Sequence, residues 1–318
     1  MPDIVTLGES MVLLVPDRAG LLRYADRFER YVAGAESNTA IGLVRLGHSA
    51  GWISRVGADE FGACVRSTIR GEGVDTQHVR QDPAAPTAVF FKERRRPDET
   101  RVYYYRNGSA ASKLSPNDLP EAYITQAEYL HLTGITPALS SSCHETVGSA
   151  LQIAREGGTR VSFDPNLRLK LWSEDRARET LDRIIPSVDI LLAGEEEAAI
   201  LTGVSDVERA ARTLKDRGPD QVVIKQGSRG GTAVWGEAYN QIHHPAAEVT
   251  VVEEVGAGDA FNAGYLSGCL RGWTVEDSLH LATVMGALAV TAPGDVEGLP
   301  TWAEIQPYLD EESPSARR

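Results

Sequence analysis

Glu253-Glu254-Val255-Gly256-Ala257-Gly258-Asp259-Ala260-Phe261 is the stretch on which the reading of this chain turns, and a helical pattern follows it through Leu270. The three small residues 256–258 let backbone amides turn toward an incoming anion. The helix that begins there points its positive dipole end at the same spot. Asp259 then falls in the first turn, beside an anion hole made by Gly256, Ala257 and Gly258. A carboxylate so placed can take the proton of an attacking hydroxyl while the amides stabilise charge on a transferred phosphoryl group. Taken alone, a four-residue match of this kind more often marks only a glycine turn ahead of a helix with Asp as its N-cap. The surrounding chain has to decide.

Upstream, the apolar run Ile4–Leu7 reads as a buried strand delivering Gly8, Glu9 and Ser10 to its C-terminal end, where ligands sit in open α/β sheets. From Glu36 to Leu46 apolar residues keep helical spacing until Gly47. Strand and helix patterns then alternate: Gly51–Val56 with Phe61–Arg70, Tyr129–Leu132 with Cys143–Ala154, Val161–Phe163 with Arg176–Ile185, Ile190–Leu192 with Glu195–Leu201, then Gln221–Ile224. This predicts an α/β fold, a mainly parallel sheet covered by helices. Met11–Tyr31 and Ala88–Tyr105 lack a helical period, and the second is rich in β-formers around a polar turn, Arg94 to Thr100. They read as a small β-lid, with an edge extension of the main sheet as the alternative. The polar tail Asp310–Arg318 is expected to fray.

The 318 residues, 42% hydrophobic and 24% charged, suit one large domain, 1–318, with lid segments at about 11–33 and 87–112. A formal net charge of −13 argues against nucleic acid as a partner. Cys64, Cys143 and Cys269 form neither a disulfide framework nor a zinc motif, and the acidic start MPDIVTLGES and the lack of a long apolar run predict a cytoplasmic protein away from membranes. The seven histidines show no metal-ligand spacing.

Gly34-Ala35-Glu36-Ser37-Asn38-Thr39-Ala40, Gly47 and Arg55-Val56-Gly57-Ala58-Asp59-Glu60-Phe61-Gly62 resemble the N-terminal signature of the PfkB, or ribokinase-like, carbohydrate kinases, and residues 253–264 resemble the C-terminal one. With Val223-Ile224-Lys225-Gln226-Gly227 the resemblance spans nearly the whole chain in the family's order. It implies a three-layer α/β/α core with a small β-sheet lid, and phosphorylation of a sugar or sugar-acid hydroxyl by ATP with Mg²⁺. By it Asp259 is the catalytic base, and nucleotide contacts fall on Lys225, Gly227, Gly230, Gly256 and Gly258. Glu197 supports the metal, as the Glu of the family's Asn-x-x-Glu, which reads Gly194-Glu195-Glu196-Glu197 here.

Tyr103-Tyr104-Tyr105-Arg106-Asn107-Gly108-Ser109-Ala110, Leu130-His131-Leu132-Thr133-Gly134-Ile135-Thr136 and Ser162-Phe163-Asp164-Pro165-Asn166-Leu167-Arg168 with Trp172 are similar to the branch that phosphorylates 2-keto-3-deoxygluconate. That resemblance implies substrate contacts at Gly34, Asn38, Tyr104, Arg106, Asn166, Arg168 and Asp295. Arg106 and Arg168 are the expected countercharge for the sugar's carboxylate. Strand alternation turns Tyr103 and Tyr105 away from Tyr104. The chain departs from the family where Glu253-Glu254-Val255 replaces Asp-Thr-Thr or similar, bringing Glu254 close to the phosphate site. It departs again where Phe90 stands in place of a frequent lid tyrosine. A kinase of a neutral sugar and a non-catalytic sugar-binding member are the alternatives. The lid's uncovered β-face also suits a homo-oligomer contact.

Overall fold

The computed structural model describes residues 1–96 and 99–311. Pro97 and Asp98, in the expected lid turn, and residues 312–318, most of the expected frayed tail, lie outside the described residues. From the N-terminus come β1 (Ile4–Leu7), β2 (Met11–Pro16), β3 (Phe28–Ala33), α1 (Ala35–Arg45), β4 (Ala50–Gly57), α2 (Glu60–Gly71) and β5 (Val79–Asp82). Then follow β6 (Val89–Arg96), β7 (Glu99–Tyr105), α3 (Glu121–Thr125), β8 (Tyr129–Thr133), α4 (Ile135–Leu139), α5 (Ser141–Gly157) and β9 (Arg160–Asp164). The last third holds α6 (Glu174–Ile184), β10 (Ile190–Gly194), α7 (Glu195–Thr202), α8 (Val207–Lys215), β11 (Gln221–Lys225), β12 (Gly231–Trp235), β13 (Asn240–His244), α9 (Ala257–Leu270), α10 (Val275–Ala289) and α11 (Trp302–Glu311).

The main sheet has the order β13-β12-β11-β10-β9-β8-β1-β4-β5. It is parallel from β11 to β5 and antiparallel at β12 and β13. Successive residues of its strands are apolar on both faces, because each face feeds a separate core. Ile4, Leu192 and Val223 join α1, α2, α9 and α10 on one side. Val5, Leu191 and Val222 join α5, α6, α7 and α8 on the other. This is the expected three-layer core.

β12 and β13 were not foreseen. They form an antiparallel edge: β12 is buried but short and opens with Gly231 and Thr232, and β13 is polar and largely exposed, so neither shows the continuous apolar run that marks the parallel strands. Helix ends follow local capping: the Asp59 carboxylate accepts the Gly62 N–H at 2.7 Å at the start of α2.

The lid is its own sheet, of order β3-β2-β6-β7, and not an edge extension of the main one. Its inner face carries Met11, Leu13, Val15, Ala33 and Phe90. Its outer face carries Phe28, Phe91 and Tyr105, with Phe91 edge-on to both of the others at 5.7 Å. Tyr104 instead stacks on Phe90 at 5.4 Å, so the tyrosines alternate as expected. Among the described residues no helix is long and apolar enough to cross a membrane.

α9 and α10 pack backbone to backbone at Gly264, where an added Cβ would lie 2.7 Å from Ala282 Cα and 2.9 Å from Leu281 O. Gly264→Ala is therefore expected to destabilise the protein by about 1–3 kcal/mol. Gly148, on the exposed face of α5 with open space around it, should gain about 0.4–1 kcal/mol on substitution by Ala. Urea unfolding of the two variants checks both signs.

Candidate active site

The C-terminal ends of β1, β9, β10 and β11 face the N-terminus of α9 across two adjoining clefts. The first, of ≈ 460 Å³, is roofed by the lid through Leu13, Phe90 and Tyr104. The second, of ≈ 760 Å³, lies between the 227–230 turn, the 246–251 segment and α10. Lys225, Glu254 and Gly258 border both. The wall between the clefts is thus the start of α9.

That wall depends on one glycine. Gly256, the N-cap of α9, has φ 86, a left-handed conformation that disfavours other residues, and a Cβ there would sit 2.5 Å from the Asp295 carbonyl oxygen. The tight turn leaves the first amides of α9 without intrahelical acceptors and aimed at the clefts.

Asp259 is buried in the first turn of α9 and lines the lid-side cleft. Asn38 Nδ2, from α1, donates to its Oδ2 at 2.8 Å, and Gly34 N–H donates to Asn38 Oδ1 at 3.4 Å. The two signature segments therefore meet at the carboxylate. Burial pushes this carboxyl up to about 7. The Asn38 hydrogen bond opposes the shift, the Asp164 charge adds to it, and Lys225 and Arg168 oppose it. A carboxyl titrating there is suited to accept a proton at neutral pH.

The other expected residues divide by cleft. Gly34, Asn38, Tyr104, Arg106, Asn166, Arg168 and Asp295 all line the lid-side cleft, as does Glu197. Gly227, Gly230 and Ala257 line the other. Asn166 holds a left-handed φ of 37 and is one of two non-glycine residues with positive φ among those described. Asp295 leaves Oδ1 buried with no hydrogen-bond partner, and burial raises its carboxyl to about 6 against the pull of Lys92.

The two arginines expected as countercharge both line this cleft but differ in their partners. Arg106 is held by Glu9, with Nε at 2.8 Å and Nη2 at 2.5 Å from Oε2, while Ser109 holds the other oxygen. Its charge is already matched, and its guanidinium lies over the Tyr104 ring at 5.4 Å. Arg168 makes no side-chain hydrogen bond or ion pair among the described residues.

Glu197 also differs from a bare metal ligand. Its Oε1 accepts the Leu167 N–H and its Oε2 the Gly194 N–H, each at 2.7 Å, so it caps α7 and fastens the loop after β9. Burial and the nearby Asp164 push its carboxyl up. Among the described residues no group of three His, Cys, Asp or Glu is arranged to hold an ion. The set fits a magnesium carried chiefly by nucleotide phosphates, which needs only one or two protein carboxylates.

Sequence reasoning missed several partners. Glu253 meets Lys92 Nζ at 2.8 Å and also Arg94, so the two lid cations face the loop that enters α9. Glu254, by contrast, is exposed at the border of both clefts. Lys92 was findable, since alternation puts it on the same lid face as Phe90. Glu36, wholly buried and accepting the Thr133 and Thr136 hydroxyls at 2.7 and 2.8 Å, gave no signal beyond its place in the first signature.

An anion-binding helix terminus and a buried base set between two clefts define a phosphotransferase that hands a phosphoryl group from one bound molecule to the hydroxyl of another. A family model described as pfkB family carbohydrate kinase matches residues 1–302, and the chain belongs to that family. It is 36% identical to a Bacillus subtilis protein named 2-dehydro-3-deoxygluconokinase, covering 96% of this chain and 95% of that protein. It is 38% identical to one of the same name from Thermoproteus tenax (97% and 94%), and 34% identical to a fructokinase of Klebsiella pneumoniae (96% and 99%). A solved structure of a ribokinase II of E. coli with ATP and Mg²⁺ superposes with a TM-score of 0.91 at 26% identity, covering 98% of this chain and 100% of that one. The chain is a sugar kinase with an alcohol group as acceptor.

A base at Asp259 would act only when ionised, so its raised pKa predicts a kcat/KM profile that climbs through an acidic limb near pH 7 and levels above it. Asp259→Asn keeps an acceptor for Asn38 and should lower kcat by about 10²–10⁴. Stability runs the opposite way: with about 7 folded against the ordinary 3.8, the folded form binds more protons, so this group lowers stability as pH rises from about 4 to about 7. The Asn variant should gain in Tm over the wild type across that window. A limb below pH 5 would contradict the assignment.

Proposed function

We propose that this kinase phosphorylates 2-keto-3-deoxygluconate, a sugar acid, at its primary hydroxyl, using ATP and Mg²⁺ with Asp259 as general base. The observation that carries the substrate is the charge balance of the lid-side cleft. Four cations line it, and three have acidic partners: Lys92 with Glu253, Arg106 with Glu9, and Lys225 with Asp164 at 2.7 Å. Among the described residues Arg168 is the cation left without one. An unmatched guanidinium facing a cleft that also holds Asp259 and Asp295 is balanced by an anionic substrate, and a carboxylate meets its planar fork in bidentate fashion. The two relatives named 2-dehydro-3-deoxygluconokinase support the same substrate.

In this reading Asp259 accepts the proton of the attacking hydroxyl, and the amides of Gly256, Ala257 and Gly258 bind the phosphoryl oxygens as charge develops. Asp295, with an unpartnered buried oxygen, receives a substrate hydroxyl, and Asn38 holds Asp259 in place. The lid excludes water over this cleft. The nucleotide occupies the other cleft, its phosphates toward Gly227, Gly230 and Gly258 and its base against Val249, Val251 and Ala287. Glu197 would support a magnesium ion, which would supply neutralisation of part of the phosphate charge.

The test is turnover of 2-keto-3-deoxygluconate, fructose and ribose side by side with ATP and Mg²⁺, in wild type and Arg168→Ala. The sugar acid should be preferred, and the variant should lose about 10–100-fold in kcat/KM for it, the worth of one charge-assisted contact, with little change for fructose. Preference for fructose would keep the kinase and discard Arg168 as the carboxylate anchor.

A further inference from the structure

Asp164 ends β9 with its carboxylate almost fully buried and hydrogen-bonded on both oxygens. Oδ1 accepts the Asn166 N–H at 3.0 Å. Oδ2 accepts Lys225 Nζ and Asn262 Nδ2, each at 2.7 Å. Asn262 Oδ1 in turn takes a second N–H of Lys225 at 3.3 Å. An ammonium has three donors, and among the described residues the third finds no acceptor. Lys225 borders both clefts, and its Nζ lies 3.6 Å from where a Cβ on Gly258 would be, beside the amides that open α9. The ammonium is thus fixed in one orientation, with one donor unused, at the opening through which the phosphoryl group passes.

The same arrangement reaches both reacting sides. Asn262 lies one turn beyond Asp259 on α9, so a single helix carries the base and one of the groups that orient the lysine. The other oxygen of Asp164 holds the backbone of Asn166, whose left-handed conformation needs support from its surroundings.

We propose that Asp164 is a positioning residue for phosphoryl transfer: with Asn262 it aims the Lys225 ammonium at the transferred phosphoryl group, and through Asn166 it sets the sugar-side wall of the same opening. The lysine stays protonated and acts by hydrogen bond and charge, with no proton moved. The proposal rests on the kinase reading and does not depend on which sugar is phosphorylated.

Two measurements separate this role from simple support of the fold. The first is calorimetric binding of ADP and of β,γ-methylene-ATP to the protein without sugar, so that no turnover is involved. Lys225→Met and Asp164→Asn should each weaken the triphosphate analogue by about 10-fold or more, while ADP stays within about 2-fold. Equal weakening of both nucleotides, or of neither, would overturn the proposal.

The second is the pH profile of Asp164→Asn. The groups that act on Asp259 are Asn38 from α1, Asp164 from β9, Lys225 from β11 and Arg168 from the loop after β9, with Glu9, Glu197, Glu254 and Asp295 the further acids and Lys92 and Arg106 the further cations lining that cleft. Removing the Asp164 charge while leaving Lys225 unmatched favours the Asp259 carboxylate twice over. The acidic limb should therefore move to lower pH, with kcat falling more than sugar KM rises. A limb that stays put in a less active variant would reduce Asp164 to a structural residue. Should neither variant fold, Lys225→Arg keeps the charge beside Asp164 but alters its reach, and the same loss for the analogue against ADP is required of it.

Discussion

Acidic side chains cannot be withdrawn from water without compensation, and this cleft buries several of them where a polyanion has to be received. Asp164, Glu197, Asp259 and Asp295 all line it, in a chain of net charge −13. Much of the architecture is the answer to that problem. Parallel β9 and β11 flank β10 and bring Asp164 and Lys225 together across its end. α1 lies against α9 so that Asn38 can donate to Asp259. The N-cap amide of α7, from Gly194, and the Leu167 amide in the loop after β9 both turn onto Glu197. What is left uncompensated is equally telling: among the described residues the inner oxygen of Asp295 has no hydrogen-bond partner and the guanidinium of Arg168 has no ion pair, and both line the lid-side cleft.

The alternating layers and the separate lid were legible because they rest on periodicity. Buried parallel strands are continuous apolar runs, and the lid segments lose the helical period that their neighbours keep. β12 and β13 were invisible for the opposite reason: β12 is buried but too short an apolar run after Gly231 and Thr232, and the polar, exposed β13 resembles loop. The place of Asp259 in the first turn of a helix was legible from the small residues ahead of it, and the residues that line the lid-side cleft were named through resemblance. Partnerships were not. Nothing local to Arg106 says that Glu9, at the end of another strand, has already claimed it. Asp164 likewise read as one letter of a motif, because its importance lies in three donors drawn from three parts of the chain.

The departures from the family pattern show how the two acids ahead of the anion hole are handled differently. Glu253 is turned to the lid cations Lys92 and Arg94, which hold its carboxyl below the ordinary range despite partial burial. Glu254 stays in solvent at the cleft border, where water screens it. The opening of α9 therefore keeps a favourable local field for an anion although its sequence neighbourhood is acidic, since oriented amides and the Lys225 ammonium beside Gly258 set that field.

Glu253 and its lid partners lie far apart in the chain, 159 positions in the case of Arg94, yet they share one small set of charges. Loss of Lys92 alone would leave Glu253 to the more exposed Arg94, whereas loss of Glu253 alone would strand a buried ammonium under the lid. The roof of one cleft is thus tied by charge to the threshold of the other, and a change at the acid is the costlier of the two.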